Sequence, residues 1–394
     1  MSEPILVLNC GSSSIKFGLF DPGLNPLPRA PMWSGRLEGI GSPDARLVQS
    51  DAGPVAVVLD AAQPYLSALQ IVRARVEEQT RGRPPAAVAH RVVHGGSKYG
   101  APVRIDHAVL ADLQQYIALA PLHQPYALLA IEVLLAELPH VPQVACFDTA
   151  FHRTLPQVEQ MLPLPHALWE NGVRRYGFHG LSYEYMAIAL AERHGDAARG
   201  RTIVAHLGSG ASLCAMQSLQ SVATTMGFSA LDGLMMGTRC GSLDPGVLLH
   251  LMEVEGFDAR RLSHLLYHES GLLGVSGLSS SPQPLLAAEG TNARASAALD
   301  LYVRRIVREI GALAAALGGV DMLAFTAGVG EHSAPLRGRI CGALGWMGLH
   351  VDNTANQADA ETISDPRSRV RVVVEPTNEE WMMASHALDL VRLA

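Results

Sequence analysis

Residues 7–20 read VLNCGSSSIKFGLF: an apolar run, a bend of one glycine and three serines, a lysine, and a second apolar run. Apolar positions alternate on both sides of the bend, which predicts two strands meeting at the corner of a β-hairpin. Gly11 lets backbone N–H groups turn inward, Ser12 and Ser14 add hydroxyl donors, and Lys16 adds a point charge. The corner therefore has the make-up of an anion site, with phosphate the natural ligand. Glycine and serine are also ordinary turn residues, and this stretch alone does not separate the two readings.

The design recurs. Residues 203–216, IVAHLGSGASLCAM, again place a bend (Gly208, Ser209, Gly210) between two apolar runs, and residues 323–333, LAFTAGVGEHS, carry a strand into a third glycine turn at Gly328 and Gly330. Two such corners heading two halves imply duplicated lobes facing a cleft that holds a polyphosphate. Gly-Ser hairpins are common in α/β proteins, so the pattern leaves the plainer explanation open as well. No GxxxxGK[ST] run occurs, which excludes the P-loop manner of holding phosphate. Strand-like and helix-like periods alternate along the whole chain, giving an α/β class with mixed sheets.

At 394 residues the chain has room for two domains, and its 48% hydrophobic and 17% charged content is that of a globular protein. A formal net charge of −7 with no run of Lys or Arg speaks against nucleic acid and anionic membrane surfaces as partners. One uncharged stretch, residues 113–131, is long enough to raise the question of a membrane span but is interrupted by Gln114, Gln115, Pro121, His123, Gln124 and Pro125. It reads as two helices meeting at a loop rather than as a membrane span. The opening residues show no secretory leader, and the five scattered cysteines fit reduced thiols, so a cytoplasmic location is expected.

Phosphoryl transfer asks a protein for cations around the moving group and carboxylates to hold a metal. Arg91 in AHRVVHGG and Arg239 in GLMMGTRCG stand among small residues, as if in loops, where a guanidinium can grip a phosphate or carboxylate in two-pronged fashion; each also suits a structural ion pair. Asp148 closes the apolar run QVACFD at the carboxyl end of a predicted strand. Glu379 and Glu380 follow another strand and either help to hold Mg²⁺ or open the final helix. His123 and His179 sit beside Pro and Gly in loops, placed to donate hydrogen bonds. His90 and His94 have the spacing of a metal pair but lie in a strand-to-Gly-Gly segment, which disfavours zinc.

Taken in order, VLNCGSSSIKFGLFD, AHRVVHGG, LAPLHQP, VACFDTAFHRTLP, RRYGFHGLS, HLGSGAS, GLMMGTRCGSLDPG, SGLLGVSGLSS, FTAGVGEHS and EPTNEE resemble the segments of the acetokinase family, within the sugar kinase, Hsc70 and actin superfamily. The resemblance implies two ribonuclease H-like, actin-like ATPase lobes with mixed sheets flanked by helices and a cleft between them. Residues 1–148 with 381–394 would form one lobe and residues 149–380 the nucleotide-binding lobe. It implies ATP plus acetate giving acetyl phosphate and ADP by in-line transfer with Mg²⁺ or Mn²⁺, in a homodimer. Arg91 and Arg239 would bind carboxylate and phosphoryl group, with Asp148, Asn9 and Glu379 at the metal and His179 and His123 at the transition state. Ser12, Ser14, Lys16, His206, Gly208, Ser209, Gly210, Ser281, Gln283, Gly328 and Gly330 would meet phosphate or nucleotide. Val93, Leu122, Phe178 and Ala230 would receive the acyl methyl group.

The chain departs from the family pattern mainly around the nucleotide. Ser209 replaces an asparagine, His332 stands in GEHS, and SGLSSSPQP puts Ser281 and Gln283 where an acid and an arginine face the nucleoside. Ala230 replaces a proline, Gln124 an asparagine, Ser242 an aspartate and Tyr183 a histidine. These changes keep open a propionate acceptor and a pyrophosphate or other nucleotide donor. A non-catalytic, actin-like nucleotide binder is the remaining alternative, and Arg91, Asp148 and Arg239 argue against it.

Overall fold

The alternation at residues 7–20 produces the hairpin it predicts. Strand β1 (Ile5–Cys10) runs antiparallel to β2 (Ser14–Phe20), from Ile5 opposite Phe20 to Cys10 opposite Ile15. The computed structural model describes residues 3–121 and 123–392, and Leu122 lies outside the described residues. The chain divides into two units: Met1–Phe151 with Asn378–Ala394, and His152–Thr377.

In the first unit the hairpin is continued by β3 (Trp33–Glu38), β4 (Arg46–Gln49) and β5 (Ala52–Ala56) on one side. On the other side stand β6 (Ala87–Val92), β7 (Val103–Arg104) and β8 (Gln143–Phe147). The sheet order is β5-β4-β3-β2-β1-β6-β8-β7, with β6 parallel to both β1 and β8. Parallel strands are covered on both faces, and β8 accordingly is buried throughout. Helix Pro64–Thr80 lays Leu69, Val72 and Val76 on Leu6, Leu8, Phe17 and Leu37, and helix Glu379–Arg392 buries Met382, Met383 and Ala387. The first of these helices stops at Arg81, whose left-handed backbone turns its N–H back onto the carbonyls of Glu77 and Glu78.

The second unit carries β9 (Arg201–Leu207), β10 (Ala211–Gln217), β11 (Gln220–Thr224), β12 (Met322–Thr326) and β13 (Arg371–Val374). Their order is β11-β10-β9-β12-β13, with β9 antiparallel to β10 and parallel to β12. The five strands β3-β2-β1-β6-β8 and β11-β10-β9-β12-β13 thus follow one plan: an antiparallel three-strand meander, then two parallel strands. Each unit is a ribonuclease H-like mixed sheet flanked by helices, as the resemblance implies. Helix Ala293–Leu317 starts at Asn292, whose side chain caps Arg294 and Ala295, and packs Leu299, Tyr302, Ile306 and Ile310 inward at helical spacing. It ends at Gly318 with φ +70°, a backbone that a glycine adopts without strain.

Two local expectations change. Arg91 lies inside strand β6 rather than in a loop, because the apolar run AVAHRV pairs along its length with β1 and β8. Gly328 and Gly330 belong to a short helix, Ala327–His332, that follows β12 directly. The turn there is made by Ala327 at φ +64°, which leaves the glycines to continue as helix. The uncharged stretch resolves into helix His107–Gln114, a 3₁₀ turn and helix Gln124–Glu137. Among the described residues no helix is long and apolar enough to cross a membrane.

Candidate active site

In the first unit the parallel register brings the functional side chains together. Asn9 is the last but one residue of β1, Arg91 the last but one of β6, and Asp148 follows β8, so all three stand at the carboxyl ends of neighbouring strands. Arg91 grips Asp148 with two prongs, Nε to Oδ1 at 2.9 Å and Nη2 to Oδ2 at 2.6 Å. Its Nη1 lies 3.4 Å from Asn9 Oδ1 and 3.7 Å from Glu379 Oε2. Burial alone would lower the Arg91 pKa, but the charges of Asp148 and Glu379 outweigh it and raise the value. Glu380 is raised, first by burial and also by Glu379, against a lowering contribution from Lys16. Glu379 opens the last helix, one of the two roles the sequence leaves open, and its carboxylate faces the arginine.

The corner Gly11 to Ser14 is half-exposed, with Ser12 and Lys16 exposed. The Gly11 N–H donates to the Ser14 carbonyl at 2.9 Å, so it closes the turn rather than pointing at a ligand. Val93 is buried just beyond β6 in a segment that is clamped from several sides. The fully buried Gln124 receives the His94 N–H at 3.2 Å and donates to the His94 carbonyl at 3.0 Å. Thr149 Oγ1 accepts from the Gly95 N–H at 3.2 Å and His94 Nδ1 from Gly96 at 2.9 Å. His123 stands at the N-cap position of helix Gln124–Glu137. The clamp explains how glutamine serves at position 124: the extra methylene lets its amide pair with both backbone groups of one residue.

In the second unit the turn Gly208 to Gly210 is flanked by histidines. His179, at the N-cap of helix Gly180–His194, has a left-handed backbone at φ +60°, and its ring stacks on that of His206 with centroids 4.2 Å apart. His179 Nδ1 meets Ser212 Oγ at 2.8 Å, and Ser212 meets the Tyr183 hydroxyl at 2.6 Å. His206 Nδ1 meets Ser182 Oγ at 2.8 Å, and Ser182 meets Thr377 Oγ1 at 2.8 Å. The loop before His179 is pinned by the buried His152, with Nδ1 at 2.8 Å from Ser221 and Nε2 at 3.0 Å from the Phe178 carbonyl. Phe178 itself is buried.

A Cβ on Gly210 would stand 2.7 Å from Arg239 Nη2 and 3.1 Å from His179 Nε2, so both groups use the space a side chain would fill. Arg239 also donates from Nη1 to the Ala230 carbonyl at 2.6 Å. Ser242 closes that loop by accepting from the Gly233 N–H at 3.1 Å and donating to Asp232 at 2.6 Å, a donation that a hydroxyl can make and a carboxylate cannot. Ser209 is exposed, as are Ser281 and Gln283 at the start of helix Pro282–Ala288. Gly330 is buried and Gly328 exposed.

Several supports have no counterpart in the sequence reading. Arg337, wholly buried, donates to the carbonyls of Gly330 at 2.8 Å and Glu331 at 2.7 Å and pairs with Asp359. Glu331 in turn accepts the Thr377 N–H at 3.2 Å. The Thr326 hydroxyl, at the end of β12 beside His206, is buried with no partner among the described residues. Among the described residues there is no group of three or more His, Cys, Asp or Glu side chains that could hold a metal. The donor set at Arg91 is two carboxylates and one amide oxygen, all hard oxygens. Such a set suits a magnesium-like ion that keeps waters and substrate phosphates as its other ligands.

The model of the acetokinase family matches residues 4–385. The chain belongs to the acetokinase family. An acetate kinase of Rhodopseudomonas palustris is 48% identical over 99% of this chain and 99% of its own length. The crystal structure of Porphyromonas gingivalis acetate kinase covers 99% of this chain and 100% of its own at 38% identity and a TM-score of 0.87. A propionate kinase from Francisella tularensis covers 98% of this chain and 100% of its own at 31% identity and a TM-score of 0.90. Membership of the acetokinase family makes the chain a kinase that phosphorylates a carboxylate.

Proposed function

We propose that the protein transfers the γ-phosphoryl group of ATP to acetate, reversibly, giving acetyl phosphate and ADP. An acetate oxygen attacks the γ-phosphorus, the bond from that phosphorus to the β,γ-bridging oxygen breaks, and the electron pair leaves with ADP. Acetate is already ionised at neutral pH, so no proton has to be removed from the nucleophile. The work left for the protein is positioning and charge compensation. The observation that carries this reading is the two-pronged Arg91–Asp148 pair flanked by Asn9 and Glu379 at adjacent strand ends.

In this reading Arg91 and Arg239 neutralise the acetate carboxylate and the charge spread over the transferring group, and His179 and His123 donate hydrogen bonds to it. Asp148, Asn9 and Glu379 hold a divalent ion, Mg²⁺ or Mn²⁺, which supplies charge to the β- and γ-phosphate oxygens when bound. Ser12, Ser14 and Lys16 of one turn, and His206, Gly208, Ser209 and Gly210 of the other, contact phosphates. Gly328, Gly330, Ser281 and Gln283 line the nucleoside. Val93, Leu122, Phe178 and Ala230 receive the methyl group, and Ala230 leaves more room than a proline would.

A homodimer belongs to the same reading. Helix Pro245–Glu253 has no buried residue and exposes Val247, Leu249 and Met252, with Leu243 and Val254 beside it. A cytoplasmic location is supported by Cys10, Cys214, Cys240 and Cys341, which are thiols outside any disulfide, all but Cys240 of them buried. The test is hydroxamate trapping of acetyl phosphate from acetate and MgATP. Turnover is expected in the parent and lost in Asp148→Asn and Arg239→Ala with the fold retained; near-normal rates in either variant would refute the roles of these two residues.

A further inference from the structure

His179 is the imidazole that the proposed function places against the transferring phosphoryl group, and what it can do there depends on which ring nitrogen carries its proton. In neutral imidazole one nitrogen donates and the other accepts, and the partner of one decides the role of the other. His179 Nδ1 faces Ser212 Oγ at 2.8 Å, while Nε2 is the atom beside Gly210. Ser212 has a single proton, and the Tyr183 hydroxyl stands 2.6 Å from the same oxygen. A phenol is a stronger donor than an alkyl hydroxyl, and burial raises the Tyr183 phenol well above its usual value, so it keeps its proton throughout the working range. When Tyr183 donates to Ser212, the serine proton is directed to Nδ1 and the imidazole proton is left on Nε2.

We propose that Tyr183, acting through Ser212, is a positioning residue that holds His179 as the Nε2–H tautomer, so that the ring meets the phosphoryl group as a donor. The neighbouring stacked ring is built alike, with Ser182 at His206 Nδ1 and Thr377 behind Ser182. Tyr183 is wholly buried and reaches its serine from the first turn of the same helix that His179 opens, so ring and relay are fixed by one element.

The inference rests on the proposed function for its catalytic meaning, but the tautomer can be read without turnover. Long-range ¹H–¹⁵N correlation spectra of histidine-labelled protein, with His179 assigned by comparison with His179→Gln, should show the Nε2–H form in the parent protein. Tyr183→Phe keeps the ring in the core and removes only the hydroxyl. It should move His179 toward the Nδ1–H form and lower kcat on the order of tenfold while KM for acetate and MgATP stays within about twofold. Ser212→Ala should do the same, and the double variant should be no worse than Ser212→Ala alone. An Nδ1–H signal in the parent overturns the proposal, as does an unchanged tautomer in Tyr183→Phe whatever happens to the rate. If Tyr183→Phe does not fold, the parent spectrum and Ser212→Ala decide. A parent protein that makes no acetyl phosphate would defeat the proposed function while leaving the tautomer to be read independently.

Discussion

The two sheets share a strand plan yet carry different chemistry at their strand ends. At the ends of β1, β6 and β8 stand an amide, a guanidinium and a carboxylate; at the ends of β9 and β12 stand a histidine and a buried threonine. Their hairpin turns differ too. Gly11 to Ser14 span the last β1–β2 pair, while Gly208 to Gly210 span the last β9–β10 pair with one residue fewer. The shorter turn packs so tightly on Arg239 and His179 that its glycine is required by space, whereas the longer turn leaves room. A duplicated scaffold fixes where the side chains stand, and the identity of those side chains fixes what each half does.

The largest effect should come from breaking the charge pair of the first unit. Arg91→Ala leaves the buried Asp148 carboxylate without its two-pronged partner, so it should lower stability by about 3–5 kcal/mol and abolish turnover. Arg239→Ala in the second unit should cost at least about 10³-fold in kcat with a stability change under about 1 kcal/mol, because Arg239 is half-exposed. Urea unfolding of both variants beside the parent makes the comparison, and equal stability losses would show that the two arginines are built into their units in the same way.

The turns give the next effect. Gly210→Ala places a methyl group 2.7 Å from Arg239 Nη2 and should reduce kcat by about 10- to 100-fold. A Cβ on Gly11 meets nothing closer than the Ser14 carbonyl at 3.6 Å, so Gly11→Ala should leave the unfolding free energy from urea titration within about 0.5 kcal/mol of the parent. A folded, fully active Gly210→Ala would remove the distinction between the turns.

Acid should act on the first unit through His90 and His94, which burial lowers to about 4. The unfolded chain binds protons below about pH 6.5 that these two imidazoles refuse in the native state. The stability they contribute is full above that pH and is lost as pH falls toward 4, by up to about 3 kcal/mol for each. Urea unfolding between pH 7.5 and 5 should show this slope, and His90→Gln should flatten it; identical slopes would rule His90 out as a source. The smallest effect concerns the nucleoside: with Ser281 and Gln283 exposed and uncharged, kcat/KM with GTP should fall within about tenfold of that with ATP.

The scaffold is legible in the sequence because it is written in local signals. Alternation around Gly11 and Gly208 marks both hairpins, and an apolar run ending in Asp148 marks a strand end. Arg91 reads as a loop residue because glycine and valine neighbours hide a strand whose partners, β1 and β8, are far along the chain. The supports at Gln124, Tyr183, Ser212 and Arg337 are out of reach for the same reason: each acts on a residue or backbone group brought near only by folding. Gln124 and Tyr183 are visible as departures from a pattern, but not as a backbone clamp and a hydroxyl relay. Backbone strain at His179 and Ala327 leaves no mark in residue type, since neither is a glycine.

The measurement that bears most directly on the account is acetyl phosphate formation by the parent protein, trapped as the hydroxamate, with ADP followed in the same reaction and pyrophosphate run beside ATP. The account predicts acetyl phosphate and ADP in equal amounts from acetate and MgATP. Product from pyrophosphate alone, or no acyl phosphate from a folded protein with either donor, would contradict it.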